Sequence, residues 1–327
     1  MGRPPRTPGW HARNVQRRRV GSSGLQVSRI GLGTMTWGAD TDADAAGEQL
    51  IAFVEAGGTL VETADVYGDG AAQQVLGDHL AAGLVPREEL VVAARGAPAG
   101  AALGTDSARG ALLRGLDATL SRLRTDHLDL WQLPGWDAQV PVEETLSAVQ
   151  VAVLAGKVRY AGLVAPAGWQ LATVAERARS LGNLVQPVSA QAEYSLLHRT
   201  AERDLLPAAR FHGVGLLAWA PLGRGVLTGK YTDGTPSDSR ASSPALAPYV
   251  EARRNERSAR IVQSVLTAAD GLGTSPLSVA LAWVRDRRGV TSAVVGARDA
   301  AQLTASLATE TVMLPPEIRA ALDDVSA

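Results

Sequence analysis

The sequence contains no cysteine and very little lysine. The absence of cysteine in the 327 residues excludes disulfides, thiol nucleophiles and thiolate metal sites. Lysine occurs only at Lys157 and Lys230, so 30 of the 32 basic residues are arginine. Any chemistry that needs a lysine amine is therefore confined to two positions, whereas permanently charged guanidinium groups are plentiful.

The sequence also lacks an excess of one charge and long apolar runs. A net charge of −1 gives no overall field that would attract nucleic acid or an anionic membrane. No apolar run approaches the roughly 20 residues that cross a bilayer. Residues 1–17 are rich in arginine and proline and have no apolar centre, unlike a secretory signal. We therefore expect a flexible basic tail, a cytoplasmic location, and neither nucleic-acid nor membrane partners.

From Ile30 onwards, strand-like and helix-like patterns alternate. We expect eight strands, at Ile30–Met35, Thr59–Ala64, Glu89–Ala94, His127–Leu133, Arg159–Val164, Pro187–Glu193, Gly213–Ala220 and Ser292–Gly296. Helices are expected at Asp42–Ala56, Ala71–Ala82, Asp106–Leu123, Glu143–Ala155, Gly168–Leu181, Ala201–Phe211, Pro276–Arg287, Ala300–Ala308 and Pro315–Val325.

Eight such alternations predict an α/β fold of the (β/α)₈ TIM-barrel type, as a single domain over residues 18–327. A β-hairpin at Arg18–Val27 precedes it. A doubly wound sheet is the alternative, but no Gly-x-Gly-x-x-Gly turn follows the first strand. The long insertion Thr232–Arg257, rich in Ser and Pro, follows strand seven and should overhang the carboxyl ends of the strands.

The second predicted strand carries the first candidate site. Thr59–Ala64 reads as a buried strand, and Tyr67 and Gly68 follow it directly. Residues at the carboxyl ends of barrel strands face the side where barrel enzymes bind their substrates. Glu62 and Tyr67 would both lie there, with the phenol as a possible proton donor. The alternative interpretation is a tyrosine in the core and a solvated glutamate.

Six segments, in order along the chain, resemble the aldo-keto reductases. They are Gly31–Met35, Glu62–Gly68, Ala155–Tyr160, Gln191–Leu197, Trp219–Tyr231 and Gly296–Gln302. The resemblance implies a barrel with a hairpin at its base, NADP(H) lying across the top, and hydride transfer to an aldehyde or ketone.

The resemblance also assigns cofactor contacts. It implies that Gln191 holds the carboxamide, that Trp219 stacks on the nicotinamide ring, and that Arg298 faces the 2′-phosphate. Further contacts are implied for Leu222, Gly223 and Arg224 at the pyrophosphate, for Gly296 beside Arg298, and for Gln302 along the adenosine. Two positions depart from the family pattern. The Ser-Asn after strand five is Val164-Ala165 here, and an expected Asn is Ser306.

The residues at the family's catalytic positions depart further from the family pattern. The family's Asp, Tyr, Lys and His correspond here to Glu62, Tyr67, Arg95 and Pro134, so only the tyrosine is kept. Glu62 and Arg95 keep the two charge signs, and an ion pair beside Tyr67 is expected. Arg95, as a fixed cation, is expected to lower the pKa of the phenol. Pro134 donates no hydrogen bond, and losing one preorganised donor costs on the order of 10²–10³ in rate. Ordinary carbonyl reduction should be slow.

None of the histidines or lysines is well placed to replace the missing groups. His127 lies about 23 Å from Pro134 on the same strand, at the other end of the barrel. Three tryptophans near the strands offer apolar surface. Trp131, in mid-strand, is expected in the core, whereas Trp37 and Trp136 are either substrate contacts or structural. Pro134 is also expected to line the substrate pocket. We identify no metal ligands.

Three hypotheses follow. The first is an NADP(H)-dependent oxidoreductase with altered catalytic residues, acting on an activated C=N, C=C or carbonyl group of a small molecule. The second is a non-catalytic NADP(H)-binding sensor or partner subunit, and the third is a barrel reassigned to a non-redox reaction that uses Glu62, Arg95 and Tyr67. The sequence leaves the oligomeric state open.

Overall fold

The computed structural model describes residues 15–96, 107–182, 185–232, 234–237, 239–243 and 247–327. Eight parallel strands close into a barrel in chain order, the last pairing with the first. A two-stranded antiparallel hairpin, β1 (Arg17–Arg19) and β2 (Gln26–Ser28), precedes it. The barrel strands are β3 (Ile30–Gly33), β4 (Leu60–Ala64), β5 (Val91–Arg95), β6 (Leu128–Leu133), β7 (Val158–Val164), β8 (Pro187–Glu193), β9 (Gly215–Trp219) and β10 (Val290–Val295).

The described part of the chain contains eleven α-helices, most of them between strands. They are α1 (Ala43–Glu55), α2 (Ala71–Ala81), α3 (Arg109–Leu123), α4 (Val142–Leu154), α5 (Gly168–Ser180), α6 (Leu205–His212), α7 (Ala247–Glu251), α8 (Glu256–Gly271), α9 (Pro276–Arg285), α10 (Ala300–Ala308) and α11 (Pro316–Val325). Several begin at side chains that cap the first turn. Asp42, for example, accepts a hydrogen bond of 2.8 Å from the Ala45 amide. The predicted (β/α)₈ barrel is confirmed.

The hairpin closes the amino-terminal end of the barrel. Val20 and Val27 are buried against side chains that point into the barrel from three strands, Leu60, Leu130 and Leu217. The carboxyl ends of the strands therefore form the open end. Residues 1–14 of the predicted tail lie outside the described residues. Val15 is buried and Arg17 begins β1, so the expected boundary after residue 17 was too late.

The insertion after β9 lies over the open end, as expected. Its described parts include the short helix α7, and Arg253 reaches Glu193 at the end of β8 with a hydrogen bond of 2.9 Å. The helix α8 was not predicted. Its arginine-rich start resembles the polar insertion, but Asn255 caps the helix, and its buried residues, such as Ile261 and Val265, recur at helical spacing on one face.

Within the described ranges, no single helix is long and apolar enough to cross a membrane. The consecutive helices α8 and α9 together reach the length and apolar composition of a membrane span, but a bend of 103° separates them. Residues Ser278 to Arg285 of α9 are buried inside the protein.

Candidate functional site at the carboxyl ends of the strands

Three strands bring Glu62, Arg95 and Gln191 together around Tyr67. The Tyr67 hydroxyl lies 3.1 Å from Oε1 and 3.3 Å from Oε2 of Glu62, and it donates to this carboxylate. Nη1 of Arg95 donates to the Tyr67 oxygen over 3.1 Å, whereas the same nitrogen is 4.0 Å from Glu62 Oε1. Nε2 of Gln191 donates to Glu62 Oε1 over 2.9 Å. The phenol is therefore held between the carboxylate and the guanidinium.

Burial dominates the electrostatics of this cluster. It raises the pKa of the Glu62 carboxyl, and Arg95, Gln191 and Tyr67 offset only part of that rise. Burial and the nearby Glu62 also raise the pKa of the Tyr67 phenol, against the opposing effect of Arg95. The expectation that Arg95 would give the phenol a lowered pKa is wrong, because desolvation and the adjacent carboxylate outweigh the cation. Tyr67 is a weaker acid than an exposed tyrosine.

A groove of about 1310 Å³ opens from this cluster across the top of the barrel. It begins at Gly33, Glu62 and Tyr67 and passes the residues after β9. It ends at the turn after β10, by Arg298. Three cations line it, Arg224, Lys230 and Arg298. The remaining predicted cofactor residues on its wall are Trp219, Leu222, Gly296 and Gln302.

Arg224 is held between two aromatic rings. Its guanidinium carbon lies 5.3 Å from the centre of the Trp219 ring and 4.5 Å from that of Tyr249. Cations are attracted to the faces of aromatic rings, and these contacts fix the guanidinium beside the groove. Tyr249 was not predicted as a site residue. It is the one aromatic residue of the insertion, which was a usable signal.

The far end of the groove is the start of α10. Asp299 caps this helix by accepting from the Gln302 amide over 2.8 Å, and Oε1 of Gln302 accepts from the Arg298 amide over 3.3 Å. Arg298 and Gln302 thus share one short turn. Gly223, predicted with the pyrophosphate residues, is buried and is not on the groove wall. A Cβ there would lie 2.7 Å from Leu197.

Two predicted substrate contacts lie away from the groove. Pro134 and Trp136 line a separate cavity of about 460 Å³ between β6, β7 and the helices that follow them. Trp136 is 36% exposed and packs edge-on against Trp169, with ring centres 5.1 Å apart. Their role in substrate binding stays a prediction.

Trp37 is a structural residue. It is fully buried, and its indole nitrogen donates to Gln49 Oε1 over 3.2 Å. The interpretation as a substrate contact is therefore corrected, because a side chain enclosed by the core and bonded to α1 presents no surface to the groove. Trp131, as expected, is buried in the core. Among the described residues, no group of three or more His, Asp or Glu side chains is arranged to hold a metal ion.

The chain belongs to the aldo/keto reductase family, whose sequence profile matches residues 29–327. This match covers the whole barrel and agrees with the groove at the carboxyl ends of its strands.

Individual relatives extend the comparison. The chain is 34% identical over 322 residues to the uncharacterized oxidoreductase YrpG of Bacillus subtilis (strain 168), covering 94% of each chain. It is 30% identical over 332 residues to a putative voltage-gated potassium channel subunit beta of Schizosaccharomyces pombe, covering 98% of this chain and 95% of that one. A probable voltage-gated potassium channel subunit beta of Arabidopsis thaliana is 31% identical over 295 residues, covering 88% of this chain and 89% of that one.

Proposed function

We propose that the protein is an NADP(H)-dependent oxidoreductase that acts on an activated C=N, C=C or carbonyl group of a small molecule and reduces ordinary carbonyls weakly or not at all. The observation that carries this proposal is the groove lined by three cations, which joins Glu62 and Tyr67 at one end to Arg298 at the other. Its three cations suit a dinucleotide with a pyrophosphate and a 2′-phosphate.

Two features in and next to the groove support the fit of this cofactor. Gln191 is fully buried and is not on the groove wall, but it bonds to Glu62, which is. Its Oε1 finds no hydrogen-bond partner among the described residues, and a bound carboxamide N–H would satisfy it. Gly225 lines the groove in a left-handed conformation (φ 93°), and a Cβ there would lie 3.0 Å from the Lys230 side chain. The glycine keeps this stretch open for close approach of the backbone and Lys230 to a phosphate.

The residues divide the work between binding and chemistry. Trp219 would lie against the nicotinamide, Arg224 and Lys230 would neutralise the pyrophosphate, and Arg298 would pair with the 2′-phosphate. When bound, the cofactor supplies a hydride. The protein supplies the Glu62–Tyr67–Arg95 cluster beside it and excludes water from that cluster by burial.

A second candidate is a non-catalytic NADP(H)-binding partner subunit. Two relatives carry names of potassium channel beta subunits, and Pro134 stands where the family places a histidine. The third, a non-redox reaction at Glu62, Arg95 and Tyr67, requires no nucleotide. Cofactor binding distinguishes the third candidate from the first two, and turnover distinguishes the first from the second.

Titration of NADPH and NADH, followed by quenching of tryptophan fluorescence, tests the cofactor assignment. We expect NADPH to bind more tightly than NADH, because the 2′-phosphate is the one added contact for Arg298. Arg298→Ala should weaken NADPH by about 10- to 100-fold, the value of a hydrogen bond to a charged group, and leave NADH nearly unchanged. Arg260→Ala, an exposed arginine of α8, is the control. Equal losses for the two cofactors would remove Arg298 from this role.

Turnover is then measured as NADPH consumption with aldehydes, ketones, cyclic imines and activated alkenes. We expect the imines or activated alkenes to be reduced faster than the simple carbonyls. Tight NADPH binding with no consumption across the panel would favour the partner-subunit candidate. The absence of nucleotide binding would favour the non-redox one.

A further inference from the structure

The two oxygens of the Glu62 carboxyl group have different surroundings. Oε1 accepts a hydrogen bond of 2.9 Å from Nε2 of Gln191. It also accepts the shorter of the two contacts from the Tyr67 hydroxyl, at 3.1 Å. Oε2 has the longer Tyr67 contact, 3.3 Å, and lies on the side of Gly33, where a Cβ would stand 3.5 Å from it. Gly33 and Glu62 both line the groove. Because residue 33 has no side chain, Oε2 is the oxygen that a molecule in the groove can approach.

The hydrogen of the Tyr67 phenol is already committed. A phenol carries one proton, and here it is donated to Glu62, while Arg95 donates to the phenol oxygen. To protonate a substrate, Tyr67 would have to break its bond to the buried Glu62 carboxyl group and leave that group with one donor fewer. The arrangement is therefore suited to stabilising a charge on Glu62 and poorly suited to releasing the phenol proton.

We propose, on the basis of the proposed function, that Oε2 of Glu62 is the atom that gives the proton to the substrate, and that Tyr67, Arg95 and Gln191 are positioning residues. A bound reduced nicotinamide would supply the hydride that the substrate carbon takes up. The electron pair of the C=X bond moves to X, which takes the proton as the O–H bond at Oε2 breaks. Glu62 is left as a carboxylate held by Tyr67 and Gln191, and it regains a proton from solvent through the groove.

The charged and titratable groups around Glu62 set the direction of the pH dependence. Tyr67 acts on Glu62 from the turn after β4, and Arg95 acts on it from β5. Arg224, in the segment after β9, interacts with Tyr67. Asp65 acts on Arg95. Burial keeps the pKa of Glu62 above its ordinary value in spite of Arg95. An acid that must be protonated loses activity as the pH rises through its pKa, so the reduction rate should fall on the alkaline side.

The test compares Glu62→Gln with Tyr67→Phe, using the fastest substrate of the panel. Glu62→Gln should lower kcat by about 10²- to 10³-fold, the usual contribution of a general acid, with the Kd for NADPH within about threefold. Tyr67→Phe should lower kcat less than about tenfold. It should also move the alkaline limb to higher pH, because the lost hydrogen bond stabilised the Glu62 carboxylate. Glu176→Gln and Tyr160→Phe, which lie outside the groove, are matched controls.

Infrared difference spectra of wild type against Glu62→Gln give a readout that needs no turnover. A carboxylic acid C=O band that the variant lacks and that disappears as the pH is raised supports the proposal. A loss of turnover in Tyr67→Phe with near-normal turnover in Glu62→Gln overturns it, as does an alkaline limb that Tyr67→Phe leaves in place. If wild type consumes no NADPH with any substrate, the proposed function itself fails and this inference falls with it.

Discussion

Glu62 has one methylene more than an aspartate, and this extra reach determines the hydrogen bonds around it. Its carboxylate contacts the Tyr67 oxygen at 3.1 Å and stays 4.0 Å from the Arg95 guanidinium. Arg95 in turn donates to the same phenol oxygen. The two charges thus act on each other mainly through the tyrosine, which makes the phenol a bridge between them.

The buried Glu62 carboxyl predicts a pH-dependent stability. Its pKa is raised in the folded protein, mainly by burial, so between its ordinary value of about 4.3 and that raised value the native state binds more protons than the unfolded state. The unfolding free energy of wild type therefore falls as the pH rises through this window. Relative to wild type, Glu62→Gln should become more stable by up to about 1.4 kcal/mol per pH unit.

Urea unfolding of both proteins between pH 4 and pH 8 measures this difference. Glu48→Gln, on the exposed face of α1, should show a difference from wild type that does not change with pH. A difference for Glu62→Gln that is equally flat would mean that the folded protein leaves this carboxyl with its ordinary pKa.

Replacing Ala165 with asparagine should stabilise the protein, because of the backbone conformation at this position. Its φ is 46°, a left-handed conformation that costs a residue with a Cβ about 1–2 kcal/mol and that asparagine tolerates better. Because the side chain is exposed, Ala165→Asn should raise the unfolding free energy by about 0.5–1 kcal/mol. The urea midpoint at constant m-value measures it. Ala39→Asn, also exposed but at a negative φ, should change it by less than about 0.5 kcal/mol. A loss of stability at Ala165 would contradict the argument.

At the scale of elements, each part of the chain around the barrel has a separate task. The hairpin of β1 and β2 closes the base, the turns after β4, β9 and β10 form the groove, and the insertion lies over the open end. The insertion is connected to the barrel by Arg253, whose Nε bonds to Glu193, and by Tyr249 on Arg224. Both contacts are made by residues at or just after α7.

The contact between Arg253 and Glu193 should contribute to the local stability of residues 247–254. Both side chains are mostly buried, 19% and 10% exposed, so their hydrogen bonds are worth about 1.5–3 kcal/mol. Arg253→Met should therefore speed amide hydrogen exchange over residues 247–254 by about 10- to 100-fold, with little change in the barrel strands. Mass spectrometry of the exchanged peptides measures this. Arg260→Met, an exposed change on α8, is the control, and unchanged exchange in Arg253→Met would show that other contacts hold the segment.

At the scale of the whole molecule, the end of the chain is connected to the barrel by a buried arginine. Arg285, 1% exposed at the end of α9, donates to the carboxylate of Asp286 and to the carbonyl oxygens of Thr309 and Val312. Its guanidinium therefore links α9 to the segment between α10 and α11. A planar group with five donors can make all of these bonds at once.

Replacing this arginine should destabilise the protein as a unit. Arg285→Met removes the ion-pair partner of Asp286, the donor to the Val312 carbonyl and one of two donors to the Thr309 carbonyl. The unfolding free energy should therefore fall by about 3–5 kcal/mol. Arg285→Lys should recover only part of the loss, because an ammonium group cannot reproduce the fork. The urea midpoint measures both. The neighbouring exposed Arg288→Met should stay within about 0.5 kcal/mol of wild type, and a similar result for Arg285→Met would contradict this role.

The sequence by itself determined the barrel. Hydrophobic runs separated by turn residues recur eight times, and the strand Pro187–Glu193 and the helix Ala300–Ala308 agree with the structure at both ends. The helix α8 was missed although its signal is local, because Asn255 caps it and buried residues recur at helical spacing at Ile261, Val265 and Ala268. Local patterns suffice for the fold since every strand–helix unit repeats the same short-range rules.

Only the tertiary structure decided the chemistry of the site. The sequence identified Glu62, Tyr67 and Arg95 as neighbours, yet it predicted the wrong direction for the pKa of the phenol and left open whether Trp37 contacts substrate or is structural. Both depend on burial and on distances between strands far apart in the chain, which no local pattern contains. The same holds for Tyr249 on Arg224 and for Gln191 on Glu62, contacts that arise when the barrel closes.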